Sequence, residues 1–316
     1  MSQSALPYRV GRVALLAPLL LLLAAGCRSN PSSKDDAEEG PERPIGAIVE
    51  ATNQPEPIGK VLADLDRSIR AWTSLSMTAQ NDSDRRKASQ LEQSVMFVAH
   101  KRRDELIAEL EGGPLVNRIV AASALGFTRD VEAQSPLLAA LEDPSVEVVG
   151  NALLGLALLG RGDTPLERVC TLITEGSTTV IRSNAALCAA NLVQAGARAD
   201  CLKTAARAGL TDAEPGVRSQ CALVLASLED EESLQRLTDL LYDPVTLVAA
   251  AAARSVAYLG TEVPTIRGRA ARALVKAYQE VKEPVRGHVL RAMADLAGGS
   301  YGDDLEEWKQ WAARLP

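Results

Sequence analysis

The sequence has few aromatic residues and almost no histidine. Phe, Trp and Tyr make up 3% of its 316 residues, although hydrophobic residues make up 47%. The apolar content is therefore mostly Ala, Leu and Val, and such small residues favour closely packed helices over sheets. The two histidines, His100 and His288, lie too far apart in the chain to form a metal-binding motif.

Sequence motifs of catalysis are also missing. The chain has no glycine-rich phosphate loop, no His-Glu-x-x-His and no Cys-x-x-Cys. We therefore expect neither an enzyme nor a bound cofactor. The net charge of -7 argues against nucleic acid as a partner of the whole chain.

Residues 1–26 have the features of an export signal, because a basic start precedes the apolar run Val13–Ala25, which is too short to span a bilayer. The run ends in Leu-Ala-Ala-Gly-Cys, which resembles a bacterial lipobox, although Ala24 stands where leucine is commoner. The resemblance implies cleavage before Cys27 and acylation of Cys27 with palmitate-type chains, which would anchor the protein to a membrane. The alternative is an ordinary signal peptide with an incidental cysteine.

Residues 27–57 have the composition of a disordered tether. They contain five prolines and the acidic run Asp35-Asp36-Ala37-Glu38-Glu39, and they offer little apolar surface to bury. Arg28 follows Cys27, whereas aspartate at that position signals inner-membrane retention in enterobacteria. Analogy therefore favours attachment to the outer membrane, facing the periplasm.

Residues 58–111 are predicted to form N-terminal capping helices. Ile58–Leu75 places its apolar residues three and four apart, and a second helix is predicted from Asp84 to Leu110. The basic run Lys101-Arg102-Arg103 lies in the second helix. It is either a solvated face or a patch that binds phosphate or lipid headgroups.

Residues 112–298 repeat one pattern roughly every 34 residues. A unit begins at proline, often after an acid, continues through Val-Arg into an alanine-rich run, and breaks before a second helix. The unit starts are Pro114, Pro144, Thr178, Pro215, Pro244 and Pro284. The predicted second helices are Ser135–Leu141, Pro165–Thr174, Ala199–Ala208, Glu231–Leu241 and Thr265–Val281.

This pattern resembles the HEAT repeats of bacterial bilin-lyase-like proteins. The resemblance implies an all-α fold, a HEAT-like α-solenoid of stacked helix pairs, in which each pair buries its apolar face against its neighbours. Bilin-lyase-type proteins handle open-chain tetrapyrroles in the cytosol. Because the lipobox indicates another compartment, we expect only the fold to be shared.

Residues 299–316 contain the pattern Gly…Tyr-Gly-x-Asp…Trp-x-x-Trp, which is similar to a terminal motif in HEAT-repeat proteins of planctomycete-like bacteria. The pattern predicts a C-terminal capping helix with Trp308 and Trp311 on one side. A tryptophan-lined ligand groove is the alternative. Two acids in the loop are too few to cage calcium.

The second helices of HEAT arrays usually line the concave face, and here they carry a series of cations. These residues are Arg168, Lys203, Arg207, Arg236, Arg267, Arg269, Arg272 and Lys276. They form either a groove for an anionic peptide or glycan, or ordinary solvated positions paired with Glu167, Glu232 and Asp239. Of the cysteines, Cys188 and Cys201 are the predicted disulfide pair, while burial as small core residues is the alternative.

The sequence as a whole predicts a membrane-anchored, non-catalytic scaffold or adaptor of the bacterial cell envelope. The expected partner is another envelope protein or peptide that binds along the concave face. If the second-helix cations form a binding groove, this partner is anionic. Two alternatives stay open. One is a structural protein that self-associates, and the other is an accessory factor or enzyme that binds a bulky ligand.

Overall fold

A computed structural model describes residues 56–316 of the chain. The predicted signal peptide, Cys27 and most of the predicted tether lie outside these residues. The described part contains fifteen α-helices, joined by turns and short 3-10 segments, and no strand. It forms two compact units, the first ending at Ser94 and the second spanning Val95–Pro316.

The first unit contains α1 (Ile58–Thr78) and most of α2 (Asp82–Lys101). Helix α1 buries Val61, Leu62, Leu65 and Trp72 along one stripe, at the spacing that the sequence predicts. Helix α2 has Asp82 and Asp84 in its first turn, where a carboxylate interacts favourably with the helix dipole.

The helix predicted from Asp84 to Leu110 is divided in the structure. Helix α2 ends at Lys101, and α3 (Arg103–Gly112) follows after Arg102, whose φ of -111° is outside the helical range. The Arg102 side chain donates to Glu105 in the first turn of α3. The division therefore places a new helix start, with its own acids, at the basic run.

Six helix pairs follow. In chain order they are α4 (Leu115–Gly126) with α5 (Gln134–Ala139), α6 (Val146–Leu159) with α7 (Glu167–Glu175), α8 (Thr179–Gln194) with α9 (Asp200–Gly209), α10 (Pro215–Ser227) with α11 (Leu234–Asp239), α12 (Thr246–Glu262) with α13 (Arg267–Glu280), and α14 (Val285–Ala297) with α15 (Leu305–Ala313).

The pairs stack in sequence. Each first helix packs against the first helix of the next pair, from α4 to α14, and each of the second helices α5, α7, α9, α11 and α13 packs against the first helix that follows it. The first helices approach closely: a Cβ on Gly126 or Gly155 would collide with backbone of the facing helix. This arrangement confirms the predicted all-α, HEAT-like solenoid.

Local signals explain where the helices begin and end. Helix α6 begins after Ser145, whose hydroxyl accepts the Val148 N–H, and it ends at Gly160 with φ of 63°, a conformation that suits glycine. Thr178 caps α8 in the same way by accepting the Ile181 N–H. These caps satisfy backbone groups that a helix end leaves without partners.

Two segments of the array correspond residue by residue, 115–150 and 215–250. In both, a non-glycine residue with positive φ, Arg129 or Glu229, precedes an aspartate and a short 3-10 turn. In both, a short helix and a second 3-10 turn lead to the Asp-Pro start of the next pair. The two segments therefore allow the same position to be compared in two contexts.

Candidate functional site

The first three cations of the predicted groove, Arg168, Lys203 and Arg207, pair with acids. Arg168 pairs with Glu142 at 2.8 Å. Arg207 donates to both carboxylate oxygens of Asp230 and pairs with Glu232 at 2.8 Å, and the bond to Asp230 raises the pKa of Arg207. These positions are therefore paired, although their acidic partners differ in part from the predicted ones.

The Asp230 carboxylate is a structural anchor. Its side chain is only 2% exposed, and Lys203 approaches it at 3.7 Å in addition to Arg207. The corresponding Asp130, whose side chain is 22% exposed, pairs with Arg103 at 3.3 Å, and the His100 Nδ1 lies 2.9 Å from its carboxylate. Arg103 and Arg207 therefore connect a helix to the turn that follows the next first helix of the array.

In the basic run Lys101-Arg102-Arg103, the two arginines are paired with acids. Arg102 bonds to Glu105, and Arg103 pairs with Asp104 and with Glu132 as well as Asp130. Local acids thus use the donors of both arginines, which a phosphate or lipid headgroup would otherwise contact.

Four cations of the predicted groove lie together on α11 and α13 and form what we call the C-terminal basic surface: Arg236, Arg269, Arg272 and Lys276. Those on α13 are spaced by three and four residues, so they share one exposed face of that helix. Among the described residues, Arg236, Arg269 and Lys276 have neither an ion pair nor a side-chain hydrogen bond with another residue. They differ in this respect from Lys203 and Arg207.

Contacts at both ends set α11 beside α13. The Thr265 hydroxyl lies 3.4 Å from a Glu231 carboxylate oxygen before the two helices, and the Tyr242 hydroxyl donates to Glu280 at 2.7 Å after α11. Arg236 lies between these contacts along the chain and is exposed. The acid on α11, Asp239, accepts a hydrogen bond from Gln235.

Two of the predicted groove cations contact the C-terminal end of the array. Arg267 donates to the Leu296 carbonyl at 2.8 Å and Arg272 to the Leu315 carbonyl at 3.2 Å. Arg272 is nevertheless exposed and remains part of the basic surface.

Charge is segregated along the chain. Residues 244–300 contain eight arginines and lysines and four acids, whereas the whole chain has a net charge of -7. None of these eight cations forms a salt bridge within the described range 56–316. The C-terminal pairs are therefore a locally cationic part of an acidic protein.

A series of Arg–Asp pairs links the starts of successive first helices. Arg118 pairs with Asp143 at 3.0 Å, and Arg218 with Asp243 at 2.9 Å. Each aspartate also accepts a backbone N–H two residues further on, and each arginine also donates to a carbonyl of the turn before it. The recurring Asp-Pro and Val-Arg elements signal these pairs, but the sequence analysis assigned them no role.

A third pair of this kind joins Arg182 to Asp212 at 2.7 Å. Burial alone would raise the pKa of Asp212, but hydrogen bonds from Arg182 and from the Glu214 N–H, together with the charges of Arg182 and Arg218, outweigh it and lower this pKa. The aspartate is therefore held in its charged form.

The structure corrects the predicted disulfide, because Cys201 is bonded to Cys170 and not to Cys188. Cys170 on α7 and Cys201 on α9 lie on second helices that pack side by side, with Cα atoms 6.0 Å apart, a separation common in disulfides. Cys188 is buried on the first helix α8, away from that contact. Burial raises the pKa of Cys188, and it raises the pKa of Cys221 to about 12.

A cavity of about 270 Å³ lies between α6, α7 and the start of α8. Apolar side chains of Leu141, Val149, Leu172 and Ile181 line it together with the charged groups of Glu142, Asp143, Arg168 and Glu175. It is smaller than the roughly 300–1,000 Å³ clefts that hold drug-sized ligands. Its size suits a single side chain better than a bulky cofactor.

The C-terminal tryptophans form an end cap. Trp308 is fully buried and donates from Nε1 to the Gly302 carbonyl at 3.0 Å. Tyr301 and Trp311 meet its ring edge-to-face, at centroid distances of 4.9 Å and 5.4 Å. Because Trp308 is inaccessible, Trp308 and Trp311 cannot both line a ligand groove.

Residues 56–316 contain neither a metal-binding cluster nor a membrane-spanning helix. No group of three or more His, Cys, Asp or Glu side chains in this range is placed to hold a metal ion. No helix in this range is both long enough and apolar enough to cross a bilayer.

Comparison with known families gives one match. Residues 118–143 match the PBS lyase HEAT-like repeat. The match begins at Arg118 and ends at Asp143, the two residues that form the first Arg–Asp pair. No curated protein is similar enough in sequence to count as a match.

Among solved structures, the chain is similar to repeat proteins at low identity. A designed armadillo repeat protein, YIII(Dq)4CqI, shares 20% identity with a TM-score of 0.45 over 61% of this chain and 98% of its own. A designed armadillo repeat protein in complex with the peptide (KR)4 shares 17% identity with a TM-score of 0.43, over 73% and 99% of the two chains. The complex of CpcE and CpcF of phycocyanin lyase from Nostoc sp. PCC7120 shares 17% identity with a TM-score of 0.37, over 83% and 100%.

Proposed function

We propose that this protein is a non-catalytic scaffold of the bacterial cell envelope, anchored to a membrane through lipidated Cys27, that binds an acidic segment of another protein. The observation that carries the proposal is the C-terminal basic surface. Arg236, Arg269 and Lys276 are exposed there without an acidic partner in the described structure, while Lys203 and Arg207 meet a buried aspartate.

An extended surface of this kind suits an extended partner. Cations on neighbouring second helices present a row of donors to successive carboxylates of one polypeptide. Charge complementarity of this sort raises the association rate and the specificity of a complex. In the proposed arrangement the second helices form the concave face, as is usual for HEAT arrays.

The proposed surface is tested with the purified full chain and a fluorescein-labelled peptide of consecutive glutamates. Reversing three charges, Arg236→Glu with Arg269→Glu and Lys276→Glu, is expected to weaken binding at least tenfold, measured by fluorescence anisotropy. Arg272 stays intact because it also donates to the Leu315 carbonyl. Since the interaction is electrostatic, affinity should also fall as salt rises.

The control reverses an equal number of charges elsewhere. Arg85→Glu with Arg86→Glu and Lys87→Glu changes α2 of the first unit, where all three side chains are exposed. It should leave the affinity within about twofold of the wild type if the basic surface binds the peptide. Equal loss in both triple variants would show that only the net charge matters and would remove the proposed site.

In intact cells, crosslinking from the basic surface should recover an acidic segment of an envelope protein. Recovery of copies of this chain alone would favour self-association.

The anchor has a test of its own. Cys27→Ser removes the thiol that would be acylated, so the protein should move from the membrane pellet to the soluble fraction after cell lysis. Several acyl chains are needed for stable attachment, and no second anchor is proposed. A variant that stays in the pellet through carbonate washing would contradict lipid anchoring at Cys27.

The disulfide supports export. Disulfides persist in oxidising compartments and are rare in the cytosol, and Cys170 and Cys201 are placed to form one across neighbouring helix pairs. This support is independent of the lipobox resemblance, which concerns a different part of the chain.

A further inference from the structure

The two corresponding segments differ at one informative position, Glu142 and Tyr242. Tyr242 lies in the turn after α11, and its hydroxyl donates to Glu280 at 2.7 Å. Burial of the ring and the bond to Glu280 raise the pKa of Tyr242 to about 12. In this segment, the chain's own tyrosine bridges the turn to the end of the next second helix.

At the corresponding place in the earlier segment no tyrosine is present, and the cavity of about 270 Å³ lies there. Glu142 turns to Arg168 and pairs with it at 2.8 Å. Glu175, the last residue of α7 as Glu280 is of α13, lines the cavity. The earlier segment therefore keeps a carboxylate acceptor, Glu175, but lacks a tyrosine that would donate to it.

The cavity offers both components of a tyrosine site. Leu141, Val149 and Leu172 provide apolar walls for a ring. Glu175 provides a carboxylate, and within the described structure that carboxylate forms no ion pair or side-chain hydrogen bond. A phenol is the group that uses an apolar wall and an acceptor together.

We propose that this cavity binds a tyrosine side chain of a partner polypeptide, whose hydroxyl donates to Glu175. The bound ring occupies the place that Tyr242 occupies in the corresponding segment. The site shares no residue with the C-terminal basic surface and does not depend on it. A partner that uses both sites carries a tyrosine and an acidic run, so the two contacts add specificity.

The test uses the full chain and p-cresol, which is the side chain of tyrosine without its backbone. In NMR titrations, p-cresol should shift the amide resonances of Val146, Thr171 and Glu175 with a Kd on the order of 1 mM, typical of so small a ligand. Toluene lacks the hydroxyl and should bind roughly tenfold more weakly, because it leaves Glu175 unused.

Three variants separate the site from nonspecific partitioning. Glu142→Tyr supplies the internal tyrosine of the corresponding segment and should abolish the p-cresol shifts at these amides. Glu167→Gln removes an exposed carboxylate from the same helix α7 outside the cavity lining, so binding should stay within about twofold of the wild type. Glu175→Leu removes the acceptor and should bring p-cresol down to the affinity of toluene.

Absence of shifts in the wild type, or equal shifts in Glu142→Tyr, would overturn the proposal. If Glu142→Tyr does not fold, the comparison of p-cresol with toluene in the wild type and in Glu175→Leu still decides it. None of these variants should alter binding of the glutamate peptide, so failure here is distinguishable from failure of the basic surface.

Discussion

At the scale of single residues, the role of a charged side chain depends on whether the fold gives it a partner of opposite charge. Arg207 and Arg236 both lie on second helices and look equivalent in the sequence. Arg207 meets the Asp230 carboxylate, which is 2% exposed, whereas Arg236 is exposed and has no partner in the described structure. The first holds the array together, and the second is available to another molecule.

Arg207→Met should lower the free energy of unfolding by about 2–3 kcal/mol, because it leaves Asp230 buried without its main partner. Arg236→Met is the matched control and should change stability by less than about 0.5 kcal/mol. Urea unfolding followed by far-UV circular dichroism measures both. Similar stabilities of the two variants would show that the Asp230 contact is not structural.

The Arg–Asp pairs make a pH prediction. The pKa of Asp212 is lowered in the folded chain, so the unfolded chain binds protons more readily as the pH falls. The stabilisation by this carboxylate, about 1–2 kcal/mol, is present above its ordinary pKa and disappears as the pH falls through the folded value. The stability gap between wild type and Asp212→Asn should therefore be constant near neutral pH and close below about pH 4.

Urea unfolding at a series of pH values checks this. Asp239→Asn is the control, because Asp239 is exposed and accepts its hydrogen bond from the neutral Gln235. Its difference from the wild type should be small at every pH. A gap for Asp212→Asn that does not change with pH would contradict the role assigned to the charge.

At the scale of elements, the helices fall into two groups with different tasks. The first helices are apolar over most of their surface, and α6 illustrates this by burying Val148, Ala152, Leu153 and Leu156. They form the continuous packing of the solenoid. The second helices α11 and α13 keep one exposed, charged face each, and the proposed protein-binding surface is built there.

The end of the array depends on α15. Trp308→Ala should cost about 3–5 kcal/mol locally, because it removes a fully buried ring and its bond to the Gly302 carbonyl. In a solenoid each pair depends chiefly on its neighbours, so the loss should stay near the end. Hydrogen exchange should show reduced protection in α13–α15 and unchanged protection in α4–α6.

Tyr301→Phe keeps the edge-to-face contact with Trp308 and serves as the control, with protection expected to be unchanged. Loss of protection along the whole array in Trp308→Ala would instead indicate that the second unit unfolds as one cooperative block.

At the scale of the whole molecule, the proposed compartment and the disulfide state are linked. Protein taken from cell envelopes and denatured without reductant should expose two reactive thiols, Cys188 and Cys221. Reduction should add Cys170 and Cys201. Alkylation followed by peptide mass spectrometry identifies each position, and the same protein made in a reducing cytosol should label at all four without added reductant.

Labelling of Cys170 and Cys201 in envelope material before reduction would argue against both the disulfide and an oxidising location. In the native protein, Cys188 and Cys221 should react slowly, because burial raises the pKa of each thiol and keeps the thiolate rare.

The helical repeat could be predicted from the sequence because its causes are local. Proline after an acid, a capping Ser145 or Thr178 and a closing Gly160 each act within a few residues, and alanine-rich runs indicate close helix packing. The C-terminal cap follows from the same kind of signal, since Asp304 accepts the Glu306 and Glu307 N–H groups.

The candidate sites depend on distant residues, and so only the tertiary structure decided them. The sequence marks eight second-helix cations but does not tell that Arg207 meets Asp230 while Lys276 meets no acid in the described structure. It contains the cysteines but does not reveal that α7 packs on α9, which brings Cys170 to Cys201. Caps and repeat periods act along the chain, whereas pairing and cavities arise between helices whose relative register is set by packing.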